Sequence, residues 1–208
     1  MSFIPLLALL SIGGWPSTLP GFGIALALDD KLPVPVACHA VAETAALWAP
    51  YNVSITSLNP SSGPCGGGSA LRRPDAVLTV RLSSPPGGDA ARAWSSPFGS
   101  IGFQSDTDPE SMILLHYDAI LTLGLRTISM SGVREHAWPG VVRDRVLGRM
   151  TGRVVAHEIG HWLLRSRNHT ATGMMRARQT TDDLADPGRR GFALMPTDVA
   201  RLRETLTR

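Results

Sequence analysis

The chain has 208 residues, of which 43% are hydrophobic and 18% charged, so it can build the core of one ordinary domain and wholesale disorder is excluded. Its 21 glycines and 16 prolines follow no period, which excludes a collagen-like chain and predicts long loops. The net charge of +3 is too small to argue for specific nucleic-acid binding. Two cysteines, Cys38 and Cys65, exclude a disulfide-dense mini-domain, and the sequence leaves open whether they pair.

The first part of the chain is apolar and carries no charged side chain up to residue 28. Pro5 interrupts its longest apolar run, which is too short for a membrane span of about 20 residues. An export signal fits better, with Ala25-Leu26-Ala27 as an A-x-A cleavage site, although no basic residue precedes the apolar run. We therefore predict an export segment over residues 1–27, cleaved or kept as an anchor, and a single domain over residues 28–208.

The rest of the sequence predicts an α+β domain, because strand, helix and loop patterns alternate before one long helix. The predicted elements are, in chain order, a helix over 36–49, a strand over 53–56, a loop over 59–69, a strand over 76–82, a loop over 83–88, a glycine-punctuated segment over 94–103, a strand over 112–120, a helix over 139–164 and a closing helix over 195–206. No internal repeat or shift in composition indicates a second domain.

The long helix has an apolar face, with a stripe formed by Arg145, Arg149 and Arg153 opposite to it. The side chains of His157, Glu158 and His161 project onto the apolar side. Two imidazoles and a carboxylate are costly to bury unless something satisfies them, and a metal ion would do so.

Residues 157–161 form an H-E-x-x-H motif. Side chains four residues apart share one face of a helix, so the imidazoles of His157 and His161 can reach the same ion. Glu158 is rotated away from that pair, which suits it to act as general base toward a metal-activated water. The competing interpretation, two unrelated histidines and a surface glutamate, is disfavoured by the helical context.

A catalytic zinc site needs a third protein ligand and an open position. His169 follows His161 by eight residues, just past the predicted helix end, where Asn168 is the residue best suited to a left-handed turn. A downstream carboxylate is the alternative, and we favour His169 because catalytic zinc commonly has three histidine ligands and a short turn suffices. The acidic stretch 182–188 looks instead like a flexible, solvated turn. The carboxylates that compete with His169 are those of Asp182, Asp183 and Glu204.

Residues 157–177 resemble the metzincin clan of zinc endopeptidases, especially its matrixin side. They are most similar to a group of exported bacterial proteins with H-E-x-G-H, a displaced histidine and the pattern G-[apolar]-M-R-A, here residues 173–177. The resemblance implies zinc held by His157, His161 and His169, and Met175 as the methionine of a tight turn beneath the metal. A gap-filling core methionine is the alternative for Met175. The chain departs from the clan, which has a glycine where Leu164 stands and its third histidine at the position of Arg167.

The fold that the resemblance implies is a small mixed twisted sheet with a long active-site helix and a C-terminal helix. The pair His116-Tyr117 is then expected on the strand at the cleft edge, where an extended peptide adds by backbone hydrogen bonds. His39, His116 and His136 are otherwise interpreted as surface or hydrogen-bonded residues rather than ligands.

The predicted function is zinc-dependent peptide-bond hydrolysis with Glu158 as catalytic general base, by a monomeric metalloendopeptidase that is secreted or held in a bacterial cell envelope. Its partners would be peptide or protein substrates, with no specific nucleic acid and no transmembrane helix beyond the N-terminal segment. The alternatives are a non-catalytic, zinc-stabilised binding module of the cell envelope, and a basic surface protein that contacts an anionic polymer through its arginine stripe. No residue is predicted to bind substrate side chains.

Overall fold

The computed structural model describes residues 19–58, 73–83, 98–130 and 139–207, which form a mixed α/β fold. The strands are β1 (Phe22–Leu28), β2 (Val53–Ser57), β3 (Ala76–Leu82), β4 (Gly99–Ser105) and β5 (Asp108–Leu115). The helices are α1 (Val34–Trp48), α2 (Tyr117–Met130), α3 (Gly140–Leu164), α4 (Thr181–Ala185) and α5 (Pro196–Leu206). This content is consistent with the predicted α+β class.

The five strands form one sheet in the order β2-β1-β3-β5-β4. Four of them run parallel, whereas β4 pairs with β5 in the antiparallel direction, with Gly99 opposite Leu115 and Ile101 opposite Ile113. Within the described part of the chain, β4 is an edge strand with one side unpaired. This free edge borders the cleft described below.

Strand β1 lies inside the sheet, paired with β2 on one side and β3 on the other. Ala25 and Leu26 are each only 1% exposed. The cleavage site predicted at residues 25–27 therefore falls within a buried central strand, and a domain that begins at residue 28 would lack it. Export of the chain stays a prediction. The loop over 59–69, which contains Cys65, lies outside the described residues, so the structure does not decide between the paired and unpaired interpretations of Cys38 and Cys65.

The two longest described helices, α1 and α3, pack closely through glycines on α3. A Cβ atom at Gly152 would lie 2.6 Å from the carbonyl oxygen of Ala40, so only glycine permits this approach. Two side chains of α1 then donate to carbonyls of α3, Thr44 to Gly152 at 3.0 Å and Trp48 to Ala156 at 3.2 Å. These contacts hold the motif-bearing helix in place along its length.

The predicted arginine stripe is wrong at Arg153, whose side chain is fully buried. Its guanidinium forms an ion pair with Glu43 of α1 at 3.0 Å and lies over the ring of Phe192 at 4.4 Å. It also donates to the carbonyl of Gly188 at 2.6 Å, and Arg189 is a second partner of Glu43. A buried charge is tolerated here because several partners satisfy it, and helical periodicity alone cannot reveal such partners.

Two further predictions are corrected by the structure. The strand expected over 112–120 ends at Leu115, and Tyr117 begins α2, so His116-Tyr117 does not lie on the edge strand, which is β4. His116 is buried. The acidic turn expected after residue 181 is instead the short helix α4, because Thr180 and Asp183 form a reciprocal capping box.

None of the described helices is both long enough and apolar enough to cross a lipid bilayer.

Candidate metal centre

His157 and His161 lie one turn apart on α3, and their Nε2 atoms are 3.1 Å from each other. The Nδ1 atom of His157 is 2.7 Å from the carbonyl oxygen of Met174, and that of His161 is 2.7 Å from the carbonyl oxygen of Ser166. A carbonyl oxygen can only accept, so each Nδ1 carries the proton and donates it. Both Nε2 lone pairs are therefore directed toward one point in the cleft.

This arrangement suits a metal ion. A tetrahedral ion with bonds of 2.0–2.1 Å places two ligand nitrogens about 3.3 Å apart, close to the observed separation, whereas two facing lone pairs repel without a cation. Hydrogen bonds from Nδ1 to carbonyls are also the usual outer contacts of metal-binding histidines. Burial lowers the pKa of His157 to about 4 and lowers that of His161 as well, so both imidazoles are neutral and available at pH 7.

His169 completes the cluster from the loop after α3. The ligand atoms of the three histidines lie within 4.8 Å of one another, somewhat looser than the approximately 4 Å expected for a formed site. The ring of His169 stacks on that of His157, with centroids 5.3 Å apart, and meets that of His161 edge-on. No other such group of metal-ligating side chains occurs among the described residues, and Asp182, Asp183 and Glu204 do not belong to this one.

The chain reaches His169 by a turn at the end of α3. Arg165 adopts the left-handed conformation, with φ 47°, and the amide of Ser166 donates back to the carbonyl of His161 at 3.2 Å. The prediction that Asn168 takes this conformation is wrong, because the chain turns at the first residue after the helix. The exit is one residue later than the glycine of the metzincin pattern, which accounts for part of the displacement of His169.

A tight turn around residues 173–176 packs against the part of α3 that carries the cluster. Gly173 has φ 83°, and the amide of Thr170 donates to the carbonyl of Met175 at 2.9 Å. Met175 is fully buried, and its sulfur is the atom nearest to where a Cβ on Gly160 would lie. Met175 thus lies against the turn of α3 that joins His157 to His161. This position suits both a methionine beneath the metal and a methionine that fills the core.

Glu158 is buried beside the histidines and faces the edge strand. Its carboxylate accepts a hydrogen bond from the backbone amide of Ile101, yet burial raises its pKa to about 8. A cation held by the histidines would act in the opposite direction and favour the carboxylate. Gly99 permits this close approach of β4, because a Cβ there would lie 2.7 Å from Val154 and 3.3 Å from Glu158.

A cleft of about 700 Å³ between β4 and α3 contains the cluster. Sequence reasoning found the residues on α3 and His169 but missed the wall formed by β4, whose composition is unlike that of a regular strand. It also missed the arginines on the loop side, which have no motif spacing. The cleft is lined by Phe98, Gly99, Ser100, Ile101, Phe103, Val154, His157, Glu158, His161, Arg167, His169, Arg176, Ala177, Arg178 and Gln179.

No family model matches the chain, and no match is found among curated proteins or solved structures.

Proposed function

We propose that this protein is a zinc-dependent metalloendopeptidase of metzincin-like fold. The observation that carries the proposal is the convergence of the His157 and His161 Nε2 atoms, 3.1 Å apart, beside His169 and in the same cleft as Glu158. Three neutral imidazoles suit zinc, and three protein ligands leave one position for a reactant. A zinc ion bound there would lower the pKa of a water molecule toward 7 and polarise a peptide carbonyl.

Glu158 is the general base of the proposed reaction. Its carboxylate takes a proton from the attacking water and returns it to the amine that leaves when the peptide bond breaks. The amide of Ile101 holds the carboxylate in the cleft during both transfers. A purely structural zinc site is usually closed by four ligands and needs no base, so this buried glutamate favours the enzyme over a zinc-stabilised binding module.

The architecture agrees with the proposed relationship to metzincins. A mixed sheet with one strand at the cleft edge, a long helix carrying the motif and a C-terminal helix are what that resemblance leads one to expect. One edge of β4 pairs with no strand of the described chain, and it would offer its backbone groups to an extended substrate. The departures from the clan's motif lie at Leu164 and in the loop between Arg165 and His169, where the chain leaves the helix later.

The test is to separate metal binding from proton transfer. Glu158→Gln should retain about one zinc per chain and lose hydrolysis of a peptide library by about 10²–10⁴-fold, because it removes the base and leaves the imidazoles intact. His157→Ala should lose both zinc and activity. Metal analysis and chelator-controlled cleavage assays measure the two effects. Full activity of Glu158→Gln, or no stoichiometric metal in protein purified without chelator, would contradict the proposal.

A further inference from the structure

The cleft carries an excess of positive charge. Arg167, Arg176 and Arg178 line it, and Glu158 is the only acidic residue that does so among those that the structure describes. Arg176 is paired with Asp183, which leaves two arginines whose charge no acidic side chain of the described residues neutralises. The exposed Arg178 guanidinium forms neither an ion pair nor a hydrogen bond with the described part of the chain.

Arg167 lies toward one end of β4, and Arg178 is followed in the chain by a residue that reaches the other end. The Arg167 guanidinium lies over the ring of Phe103 at 4.9 Å and donates to the Phe103 carbonyl at 3.3 Å. Arg178 precedes Gln179, which shares a second, smaller cavity with Phe98 at the start of the strand. Between these ends, the Glu158 carboxylate accepts a hydrogen bond from the backbone amide of Ile101. A peptide extended along β4 would thus have one cation on each side of the reacting bond.

This arrangement of positive charges favours anionic ligands over neutral or cationic ones. A cleft with apolar walls and one sign of charge concentrates the opposite charge, and the planar arginine fork binds carboxylates with two parallel hydrogen bonds. The stretch from Phe98 to Phe103 spans about 17 Å, the length of roughly five extended residues. Carboxylates two or three residues from the reacting bond therefore fit the positions of the two arginines.

We propose that the cleft selects peptides with an acidic side chain close to the bond to be cleaved, and that Arg178, which has no partner among the described residues, is the main residue that binds this carboxylate. The cleavage part of this inference rests on the proposed peptidase function, whereas the binding part does not. A short acidic peptide is favoured over an anionic polymer because the charge is placed inside the cleft and the whole chain is only weakly basic, at +3.

Binding is measured in the full-length Glu158→Gln protein, which should hold peptides without cutting them. The probes are fluorescent peptides that are identical except for Glu or Asp against Gln or Asn, compared by anisotropy at low salt. We expect a Kd about three- to tenfold lower for the acidic peptides, a preference that shrinks at high salt. Arg178→Gln should remove most of the preference, and Arg178→Glu should shift it toward a lysine peptide.

The matched control is Arg145→Gln, which removes an exposed arginine of α3 that does not line the cleft. Its peptide preference should equal that of the parent. Equal Kd values for the acidic and amide peptides would overturn the inference, as would equal loss in the Arg178 and Arg145 variants. Tighter binding of heparin or DNA than of the acidic peptides, unaffected by Arg178→Gln, would indicate a polyanion surface and would also overturn it.

The two proposals fail in different ways. If zinc-loaded wild-type protein cleaves acidic and amide peptides at equal kcat/KM, the selectivity is wrong and the peptidase function stands. If Glu158→Gln binds acidic peptides selectively while the wild type cleaves none, the selectivity stands and the peptidase function is wrong.

Discussion

The imidazole of His169 is the most exposed of the three in the cluster and forms no hydrogen bond with the described residues. Backbone carbonyls accept hydrogen bonds from His157 and His161, whereas within the described part of the chain His169 is positioned only by ring contacts. Its orientation in the loaded protein would therefore depend on the metal itself.

We predict that His169→Ala weakens zinc binding by more than 100-fold, since even the loss of an outer contact to a metal ligand costs about 10–100-fold. Competition with a chromophoric chelator measures the affinity. Asp182→Asn is the matched control and should bind zinc as the parent does, because Asp182 lies outside the cluster. The opposite pattern, with Asp182→Asn impaired and His169→Ala normal, would replace the histidine by a carboxylate ligand.

Arg165 adopts a conformation that favours glycine, with φ 47°. A non-glycine residue in the left-handed region costs about 1–2 kcal/mol, partly offset by the greater entropy that glycine has in the unfolded chain. Arg165→Gly should therefore raise the free energy of unfolding by up to about 1 kcal/mol, measured by urea denaturation. Arg145→Gly, the same change inside α3, should lower it by about 1 kcal/mol. Destabilisation by both variants would contradict the strain that we assign to the left-handed conformation of Arg165.

At the scale of elements, an ion pair connects the tight turn around residues 173–176 to helix α4. Arg176 forms an ion pair with Asp183, which also caps α4 through Thr180. Burial alone would raise the pKa of Asp183, but the hydrogen bonds from Arg176 and Thr180 outweigh it and hold the pKa at about 2. Since this pKa lies below the ordinary value of 3.8, the carboxylate stabilises the fold above about pH 4, and the contribution is lost as the pH falls toward 2.

Asp183→Asn should therefore lower the free energy of unfolding at pH 7 by about 1 kcal/mol, a figure reduced for the partial exposure of the pair. The difference from the wild type should shrink between pH 4 and pH 2, as followed by urea denaturation at each pH. Asp182→Asn tests whether loss of any acidic side chain in α4 has this effect. A gap for Asp183→Asn that stays constant down to pH 2 would show that the ion pair contributes nothing.

Elements with a strong local pattern were predictable from the sequence. The bounds of α3 and β3 match the predictions closely, because apolar periodicity and prolines mark them. Strand β4 was predicted only as a glycine-punctuated segment, because its glycines interrupt the alternating pattern of a strand. These glycines are required instead by close contacts with Glu158 and Glu110. The burial of Arg153 depends on Glu43, which is 110 positions away in sequence. No local window contains that information.

The candidate site was likewise predictable from the sequence only in part. Helical spacing places His157, Glu158 and His161 together, and their convergence was predictable. The path of His169 was predictable only in part, because it depends on which residue turns left-handed, and Arg165 rather than Asn168 does so. The arginines of the cleft were not predictable as a group, since α3, the following loop and β4 must first be packed together.

At the scale of the whole molecule, the sheet depends on β1. This strand separates β2 from β3, so a chain over residues 28–208 would lose both of its pairings and leave their apolar side chains exposed. We predict that this truncated chain fails to fold, whereas a chain over residues 19–208 melts cooperatively and takes up zinc. Circular dichroism with metal analysis distinguishes the two. A cooperative melt of the shorter chain would show that β1 is dispensable, as cleavage after Ala27 would require.

The pairing of α1 with α3 also sets an order of events during synthesis. The hydrogen bonds from Thr44 and Trp48 reach residues 108 positions later in the chain, and such distant contacts form slowly because a long loop must close first. A chain emerging from the ribosome exposes the apolar face of α1 until α3 has followed. The carbonyls of Ser166 and Met174, which orient the imidazoles, emerge later still. The histidine cluster can thus be correctly aligned only when the domain is nearly complete, so the timing of translation would delay the activity of the proposed peptidase in the nascent chain.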